Sequence, residues 1–514
     1  MAIQLPQAKS VAVNPTQEQL RRWVAQMPNA QRTEFGNYNI KARVTARSAG
    51  STFVVTDDPS STQKQALARA EYERMAAKQD AWIAGQDMVL VEGFIGPENS
   101  PMRVAARVYI ERANANIPAM QQQLYYPRDP DWSESDAFTV IYTPNLPAEG
   151  YPDERLIAID LEHWVTRVFN ADYFGESKMG GLRMWNEWAY RRGGLAMHAG
   201  AKVIPTADGD KVALIVGLSG TGKTTTTFTR QNNSLPVQDD FVALVPGGEV
   251  YSTEDGCFAK TYSLDPRYEP TIYGALTRPD SWLENVAVDE RGRVNFYDGS
   301  YTANGRGTFE LSAIPHHDPR KLGRADFLLI LNRQETIVPA VAKMASRDQA
   351  VAYFMLGETK GTSAGGADEA GRSLRVPGTN PFFLQFDHMQ GNRLAELIDS
   401  MDYDFQVYLM STGRVGGGEH VAGSKKVQIP HSSAVVKAIA EDTISWTQDP
   451  DFGYLAATEV PDFDDPELLQ PRRLYARQGR LDEYQRLVAD LKAERVAYMR
   501  RHSGLDPRIV DVLA

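Results

Sequence analysis

One segment near the middle of the chain constrains the fold more than any other. Residues 217–224 are Gly-Leu-Ser-Gly-Thr-Gly-Lys-Thr, the apolar run 212–216 precedes them, and residues 224–230 can begin a helix. A strand, a glycine-rich turn and a helix in this order form a loop whose backbone N–H groups point at phosphate oxygens. A glycine-rich turn that matches by chance is the alternative. The apolar strand before the turn and the Lys-Thr-Thr after it favour a phosphate-binding loop.

The residue types in this loop predict what each side chain contacts. Lys223 can reach the outer phosphates of a nucleoside triphosphate, and the Thr224 hydroxyl can hold the metal that bridges them. Asp239 and Asp240 follow the loop helix, where a carboxylate can bind that metal; a helix cap or a solvated turn is the alternative. We predict a nucleoside triphosphate with a divalent metal, contacted by Gly217, Leu218, Ser219, Gly220, Thr221, Gly222, Lys223, Thr224 and Thr225.

The composition is that of a globular protein without a nucleic-acid-binding surface. Hydrophobic residues make up 42% of the 514 and charged residues 24%, and the net charge of −11 argues against a broad basic face. The single cysteine, Cys257, allows no internal disulfide, which fits a reducing compartment. Neither a signal peptide nor an apolar run of about 18 residues is visible. The sequence therefore predicts a soluble cytoplasmic protein with no membrane or nucleic-acid partner.

The pattern of apolar residues predicts both helices and strands along the chain. Residues 357–378 and 412–423 are rich in glycine and are candidate mobile lids or ligand loops, with plain connectors as the alternative. We predict helices at 14–30, 60–85 and 481–502, and strands at 88–93, 104–110, 138–142, 155–159, 195–204, 212–216, 241–245 and 325–331.

Several further polar residues have two interpretations when each is taken alone. His198 lies in an apolar segment, where a lone histidine is more often a satisfied core residue than a metal ligand. Glu176 and Lys178 are compatible with a surface ion pair, and Arg47 and Arg306 with solvated surface positions. The residue types by themselves leave these alternatives open.

The order of these segments resembles that of the ATP-dependent phosphoenolpyruvate carboxykinase family. The amino-acid sequence of the phosphate loop, including Thr225, is far more specific than that of a generic phosphate loop. The resemblance is good from residue 173 to about 310 and looser elsewhere. It is carried by Tyr173-Phe174-Gly175-Glu176-Ser177-Lys178, Met197-His198, residues 217–225, Asp239-Asp240, Glu254-Asp255-Gly256-Cys257-Phe258-Ala259-Lys260 and Asn304-Gly305-Arg306.

The resemblance implies a fold and an activity. It implies a bilobed α/β carboxykinase-like fold, with a phosphate-loop nucleotide-binding lobe and an active site in a cleft. Residues 1–195 would form the substrate-binding lobe, and residues 196–514 the nucleotide- and metal-binding lobe with a possible lid at 357–378. Members of the family use ATP, magnesium and manganese. They decarboxylate oxaloacetate and phosphorylate the resulting enolate, giving phosphoenolpyruvate for gluconeogenesis.

The resemblance also implies residue roles. His198 and Asp240 would bind manganese, and Thr224 would bind the magnesium that accompanies ATP. Lys426 and Ser432 would lie at the adenine end of the nucleotide. The residues expected to act on the substrate and the transferring phosphate are Lys260, Arg306, Arg47, Ser219, Lys178 and Tyr173.

Three departures from the family pattern concern the substrate and metal. Met179 stands where the family has a metal-binding lysine, and a thioether is a poor ligand for a hard cation. The family's lysines after Arg47 are missing, and Ala199-Gly200-Ala201-Lys202 replaces Cys-Ser-Ala-Asn. A divergent carboxykinase fits this pattern. A kinase of the same fold with another small-molecule or protein acceptor and a non-catalytic nucleotide sensor are the alternatives.

Overall fold

A computed structural model describes residues 3–218, 220–360 and 373–514. The chain folds into two units, each built from segments that are separate in the sequence. The first unit consists of Met1–Arg192, Thr253–Pro315 and Phe382–Phe386. The second consists of Gly193–Ser252, His316–Pro381 and Asp387–Ala514. The binding roles assigned above to residues 1–195 and 196–514 remain predictions.

The described strands are numbered in chain order. They are β1 Ser10–Val13, β2 Ala30–Arg32, β3 Tyr38–Ile40, β4 Thr52–Val55, β5 Gln65–Leu67, β6 Asp87–Ile95, β7 Val104–Glu111, β8 Tyr126–Pro127, β9 Phe138–Thr143, β10 Leu156–Asp160, β11 Val165–Phe169, β12 Leu195–Met197, β13 Ala199–Thr206, β14 Gly209–Val216, β15 Leu235–Gln238, β16 Val242–Leu244, β17 Val250–Ser252, β18 Gly256–Lys260, β19 Trp282–Glu284, β20 Ala287–Val288, β21 Val294–Asn295, β22 Arg306–Glu310, β23 Phe327–Asn332, β24 Val341–Lys343, β25 Glu358–Lys360, β26 Ser373–Arg375, β27 Gln406–Ser411, β28 Arg414–Val415, β29 Lys425–Lys426, β30 Ser445–Gln448 and β31 Leu455–Glu459.

The described α-helices are numbered in the same way. They are α1 Gln17–Val24, α2 Arg69–Ile83, α3 Asn116–Leu124, α4 Phe174–Arg191, α5 Lys223–Phe228, α6 Pro270–Leu276, α7 Arg347–Leu356, α8 His388–Asp399, α9 Ile429–Ala440, α10 Pro466–Leu469, α11 Pro471–Arg477, α12 Leu481–Met499 and α13 Pro507–Asp511.

Two larger sheets organise the first unit. A nine-stranded mixed sheet has the order β1-β6-β7-β9-β11-β10-β4-β5, with β8 paired to β6. A five-stranded sheet has the order β18-β22-β19-β3-β2. The helix α4 packs on β9 and β11, and Gly180 allows this close approach because a Cβ there would lie 2.9 Å from Val140 Cγ2. This packing fixes the start of α4, where Tyr173 and Glu176 are found.

An eight-stranded sheet is the centre of the second unit. Its order is β15-β13-β14-β23-β27-β24-β31-β30, and its middle strands β14, β23 and β27 are parallel. Alternate residues of β14 enter different hydrophobic clusters, Leu214 and Val216 on one face and Ala213 and Ile215 on the other. The strand β14 therefore needs consecutive apolar residues, because both faces of this sheet are covered.

Most predicted elements are confirmed, and three boundaries are wrong. The helix predicted at 14–30 ends at Val24, and a strand follows at Ala30. The helix predicted at 60–85 begins only at Arg69, because Gln65–Leu67 pairs with β4 instead. The strand predicted at 195–204 is interrupted at His198, because β12 joins β16 whereas β13 joins β14.

Two predictions about the rest of the chain can be compared with the structure only in part. Among the described residues, no helix combines the length and apolar character needed to cross a bilayer. In the possible lid, β25 pairs with β26, whereas residues 361–372 lie outside the described residues. Its role as a lid remains a prediction.

Candidate active site

The phosphate loop lies at the carboxyl end of β14, and its glycines meet specific steric demands. Gly220 and Gly222 have φ angles of 85° and 98°, a region that residues with a Cβ rarely adopt. A Cβ on Gly217 would lie 2.4 Å from Thr221 Oγ1 and 2.9 Å from Leu331 Cβ. The loop backbone can therefore curl tightly and deliver the chain into α5.

The neighbouring parallel strands support this loop from their own carboxyl ends. After β23, Arg333 Nη1 donates a hydrogen bond to Gly220 O at 2.9 Å. After β27, Thr412 Oγ1 donates to Thr221 O at 2.7 Å. Ligands of parallel α/β sheets bind at this edge, where the loops following several strands converge.

Three predicted binding residues from separate segments meet in the second unit. Lys223 Nζ lies 3.3 Å from Asp240 Oδ1, and the same carboxylate oxygen lies 2.9 Å from His198 Nε2. Lys223 begins α5, Asp240 follows β15, and His198 lies at the point where the chain passes from β12 to β13. The fold therefore brings the predicted phosphate ligand to both predicted manganese ligands.

The ring of His198 is partly buried, and each of its nitrogens faces an oxygen atom. Its Nδ1 lies 2.9 Å from the Thr379 carbonyl oxygen, which can only accept, so Nδ1 carries the hydrogen. Burial and the Lys223 ammonium lower the pKa of His198. His198 Nε2 and Asp240 Oδ1 lie 2.9 Å apart, and imidazole nitrogen and carboxylate oxygen are both suitable metal ligands. The bond from the other ring nitrogen to a carbonyl is the usual support for a metal-binding histidine.

The structure describes the other residues predicted to contact the nucleotide, with the exception of Ser219. Thr224 and Thr225 lie in the first turn of α5 and are partly exposed. Lys426 lies in β29, and Ser432 lies near the start of α9. Ser219 is outside the described residues, so its predicted place near the transferring phosphate remains a prediction.

Three cations lie in one region of the first unit, and two of them are beside the ring of Phe258. Lys260 of β18 and Arg306 of β22 are directly opposite each other, which places their side chains on one face of the sheet. The Arg306 guanidinium lies 5.4 Å from the centre of the Phe258 ring, and Lys178 Nζ lies 5.7 Å from it. Lys260 and Arg306 bring two positive charges to this face, and such groups suit contacts with an anionic ligand.

Asn304 contacts two of the predicted substrate residues, and sequence analysis assigned it no role of its own. Its Oδ1 accepts a hydrogen bond from Arg306 Nη2 at 2.9 Å. Its Nδ2 donates to Thr45 O at 2.7 Å, two residues before Arg47, and lies 3.4 Å from Tyr173 Oη. Thr45 and Tyr173 are each separated from Asn304 by more than a hundred residues along the chain, so no local pattern could have identified this role.

The interpretation of Glu176 and Lys178 as a surface ion pair is excluded, because both side chains are buried and have other partners. Glu176 accepts hydrogen bonds from Arg183 Nη1 at 3.0 Å and from the Ser48 backbone N–H at 2.6 Å. Lys178 Nζ pairs with Glu254 Oε2 at 2.7 Å. The Glu176 carboxylate therefore holds the Ser48 backbone, and the Glu254 carboxylate holds the Lys178 amine.

Arg47 and Met179 complete the predicted substrate set. The guanidinium of Arg47 lies 5.3 Å from the centre of the Phe382 ring, and the neighbouring Ser48 N–H is held by Glu176. Met179 is buried in α4 directly after Lys178, and its side chain is 6% exposed. Because Lys178 is paired with Glu254, its amine cannot replace the absent lysine without breaking a buried ion pair.

Glu284 is a further buried acid of the first unit, and sequence analysis assigned it no role. It lies opposite Arg306 in the β19–β22 pair, and its Oε1 accepts a hydrogen bond from Phe174 N at 2.9 Å. Its Oε2 has no hydrogen-bond partner among the described residues. Burial raises the pKa of Glu284 to about 8, so the carboxyl holds its proton at neutral pH.

Comparison with known proteins gives a family match over most of the chain. A family model described as phosphoenolpyruvate carboxykinase matches residues 9–466. The phosphoenolpyruvate carboxykinase (ATP) 1 of Moorella thermoacetica is 29% identical over 446 residues, covering 84% of this chain and 82% of that protein. The phosphoenolpyruvate carboxykinase (ATP) of Geobacillus kaustophilus is 29% identical over 493 residues, covering 91% and 89%. That of Campylobacter jejuni subsp. doylei is 30% identical over 419 residues, covering 78% and 77%.

Proposed function

Because the chain belongs to the phosphoenolpyruvate carboxykinase (ATP) family, we propose that it decarboxylates oxaloacetate and transfers a phosphoryl group from ATP to the resulting enolate. The products are phosphoenolpyruvate, carbon dioxide and ADP. The relatives reported above all carry the carboxykinase name, and they favour neither a kinase with another acceptor nor a nucleotide sensor.

The observation that carries this proposal is the meeting of His198, Lys223 and Asp240. A nucleotide sensor needs a loop for phosphates, but it has no need of an imidazole and a carboxylate that face each other at 2.9 Å beside the loop lysine. Such an arrangement suits the neutralisation of charge during phosphoryl transfer, in which placement and electrostatics supply most of the catalysis.

In the second unit, the phosphate loop holds and orients the nucleotide. Backbone N–H groups of residues 217–224 bind phosphate oxygens, and the Lys223 ammonium neutralises the outer phosphates. Arg333 and Thr412 fix the loop backbone by donating hydrogen bonds to the carbonyl groups of Gly220 and Thr221. Lys426 and Ser432 are proposed to contact the adenine end.

The residues present fit the two metals that the family implies. His198 Nε2 and Asp240 Oδ1 would hold manganese, for which imidazole and carboxylate are suitable ligands. Thr224 would hold magnesium with the ATP phosphates. When bound, these metals supply positive charge that stabilises the enolate oxygen and the phosphates.

In the first unit, the proposed role of the cations is to grip the dicarboxylate. Arg306 and Arg47 suit bidentate contacts with carboxylate oxygens, and Lys260 neutralises charge beside them. Tyr173 is connected to Arg306 because the Asn304 side chain contacts both of them. Loss of carbon dioxide leaves an electron pair that becomes the enolate, and cations already in place stabilise its negative oxygen without reorganisation.

Phosphorus NMR tests the proposed reaction directly. Purified protein is mixed with ATP, oxaloacetate, magnesium and manganese, and the spectrum is followed with time. We expect a phosphoenolpyruvate resonance to grow together with that of ADP. The Lys223→Ala variant should form neither, whereas the matched Lys211→Ala variant, altered at the opposite end of β14, should form both.

The other results of this experiment have definite meanings. Binding of ATP without any phosphoenolpyruvate would overturn the carboxykinase proposal and direct attention to a different phosphoryl acceptor. Turnover that persists in Lys223→Ala would remove the loop as the phosphoryl-donor site.

A further inference from the structure

A fully buried lysine lies behind the phosphate loop and belongs to none of the predicted contacts. Lys202 of β13 is 0% exposed. Its Nζ donates hydrogen bonds to Thr226 O at 2.9 Å, to Thr229 O at 2.7 Å and to Gln231 Oε1. Three acceptors match the three hydrogens of an ammonium group. The first two are carbonyls at the carboxyl end of α5, where the helix dipole favours a cation.

The third acceptor extends this contact towards the other end of the nucleotide site. Gln231 Nε2 donates to Ser433 Oγ at 3.2 Å. Ser433 lies near the start of α9, next to Ser432, which is proposed to lie at the adenine end. Lys202 and Gln231 therefore join the helix that begins with Lys223 to the helix that contains Ser432.

The short helix α5 packs directly on β13. A Cβ on Gly200 would lie only 2.0 Å from Thr227 Oγ1. Thr227 Oγ1 in turn donates to Lys223 O at 2.9 Å. The close packing on Gly200 holds α5 against the sheet. The contacts of Lys202 and Gln231 set its distance from α9.

Burying this amine has a free-energy cost that an apolar side chain would avoid. Burial lowers the pKa of Lys202 to about 7. An apolar residue of similar shape would fill the same space without desolvating a charge. A role in the spacing of helices explains why an ammonium group with three acceptors lies at this position.

We propose that Lys202, acting through Gln231, is a positioning residue that keeps the phosphate loop and the adenine-end segment of α9 at the spacing required by ATP. This role rests on the proposed function, because it assumes that ATP spans these two segments. Lys202 touches neither ligand nor metal in this scheme. Its loss should therefore matter most for a ligand that contacts both ends.

Titration calorimetry with two ligands separates this role from general support of the loop. The ligands are MgATP, which spans both ends, and magnesium tripolyphosphate, which contacts only the phosphate loop. In Lys202→Met we expect the affinity for MgATP to fall at least tenfold and that for tripolyphosphate to fall less than threefold. Equal losses for the two ligands, or no loss for either, would overturn the proposal.

Matched variants control for folding and charge. Lys211→Met makes the same substitution in β14, where Lys211 pairs with Asp326 at 3.3 Å and lies at the end of the strand remote from the loop. It should bind both ligands as the parent protein does. If Lys202→Met does not fold, Gln231→Met and Ser433→Ala break the connection while leaving the lysine in place. The same selective loss is expected in both, and unchanged ATP affinity in both would refute the role.

The parent protein and Lys223→Ala separate failure of this role from failure of the proposed function. A parent protein that binds no ATP would remove the proposed function and this role together. Binding that is lost in Lys223→Ala but kept at full strength in Lys202→Met, Gln231→Met and Ser433→Ala would remove this role alone.

Discussion

At the scale of single residues, the substitution of a lysine by Met179 has the most direct chemical consequence. The proposed manganese site would offer an imidazole nitrogen and a carboxylate oxygen, and Met179 stands where the resemblance implies a third ligand. The adjacent Lys178 is held by Glu254 at 2.7 Å. A site with fewer protein ligands should hold its metal less tightly and leave more positions for water or substrate oxygens.

Restoring the lysine should therefore tighten metal binding. In Met179→Lys we expect manganese affinity to rise by about tenfold, which corresponds to about 1.4 kcal/mol. Titration with manganese, followed by the loss of the free-ion paramagnetic resonance signal, measures the change. Met179→Leu is the matched control because it keeps the apolar volume and adds no ligand. Equal affinities in the lysine and leucine variants would show that position 179 does not reach the metal.

The raised pKa of Glu284 predicts how the free energy of unfolding depends on pH. Burial raises the pKa of Glu284 to about 8 from a value of 4.5. The folded state thus retains a proton that the unfolded chain releases. Stability from this group is complete below about pH 4.5 and is lost as the pH rises to about 8. The slope within that window is at most about 1.4 kcal/mol per pH unit.

Urea unfolding at pH 5.5 and pH 7.5 measures this slope. We expect the parent protein to lose more stability between these pH values than Glu284→Gln, which keeps the shape and the Oε1 acceptor but has no proton to release. If the two proteins show the same pH dependence, the Glu284 carboxyl is ionised in the folded state and the assignment of its proton fails.

At the scale of elements, sequence patterns located most strands and helices but not the points where the chain changes sheets. The predicted strand at 195–204 satisfies local apolar patterning along its whole length, yet β12 and β13 belong to different sheets. That division places His198 at the interruption. Pairing partners far along the chain decide such a break, which local propensity cannot reveal.

The tight packing around Gly217 predicts that a single added methyl group there weakens nucleotide binding. In Gly217→Ala the Cβ would lie 2.4 Å from Thr221 Oγ1 and 2.9 Å from Leu331 Cβ, so the loop or β23 must shift. We expect affinity for MgATP to fall by at least tenfold while the far-ultraviolet circular dichroism spectrum is unchanged. Gly274→Ala, in a helix with open space around the new Cβ, is the control and should leave both unchanged. Normal ATP binding by Gly217→Ala would mean that the loop accommodates the methyl group.

At the scale of the whole molecule, buried ion pairs connect segments that are distant in the chain. Within the second unit, Arg495 of α12 is 1% exposed, pairs with Glu358 through two hydrogen bonds and donates to Tyr353 Oη at 3.0 Å. This contact fixes a helix near the end of the chain to the base of the β25–β26 pair. The charges are part of the core of this unit.

Removing one member of this pair should cost far more than removing a surface charge. In Arg495→Met the Glu358 carboxylate keeps only its other contacts, and we expect a loss of about 3–5 kcal/mol in the free energy of unfolding. Arg22→Met, which breaks the exposed pair with Glu18, should cost less than about 1 kcal/mol. Chemical denaturation of both variants gives the comparison. Similar losses of stability in Arg495→Met and Arg22→Met would show that burial does not increase the contribution of this ion pair.

The sequence by itself determined the phosphate loop, the succession of strands and helices around it, and the family resemblance. These features are encoded locally, in glycine spacing and apolar runs that impose backbone geometry on their own neighbours. Tertiary structure alone decided the partners of the polar residues: Glu176 with Ser48, Lys178 with Glu254, Asn304 with Arg306 and Thr45, and Lys202 with the end of α5. Most of these partners are distant in the chain, and burial makes an unsatisfied polar group costly. Which acid or amide meets which cation is therefore fixed only when the sheets and helices have packed.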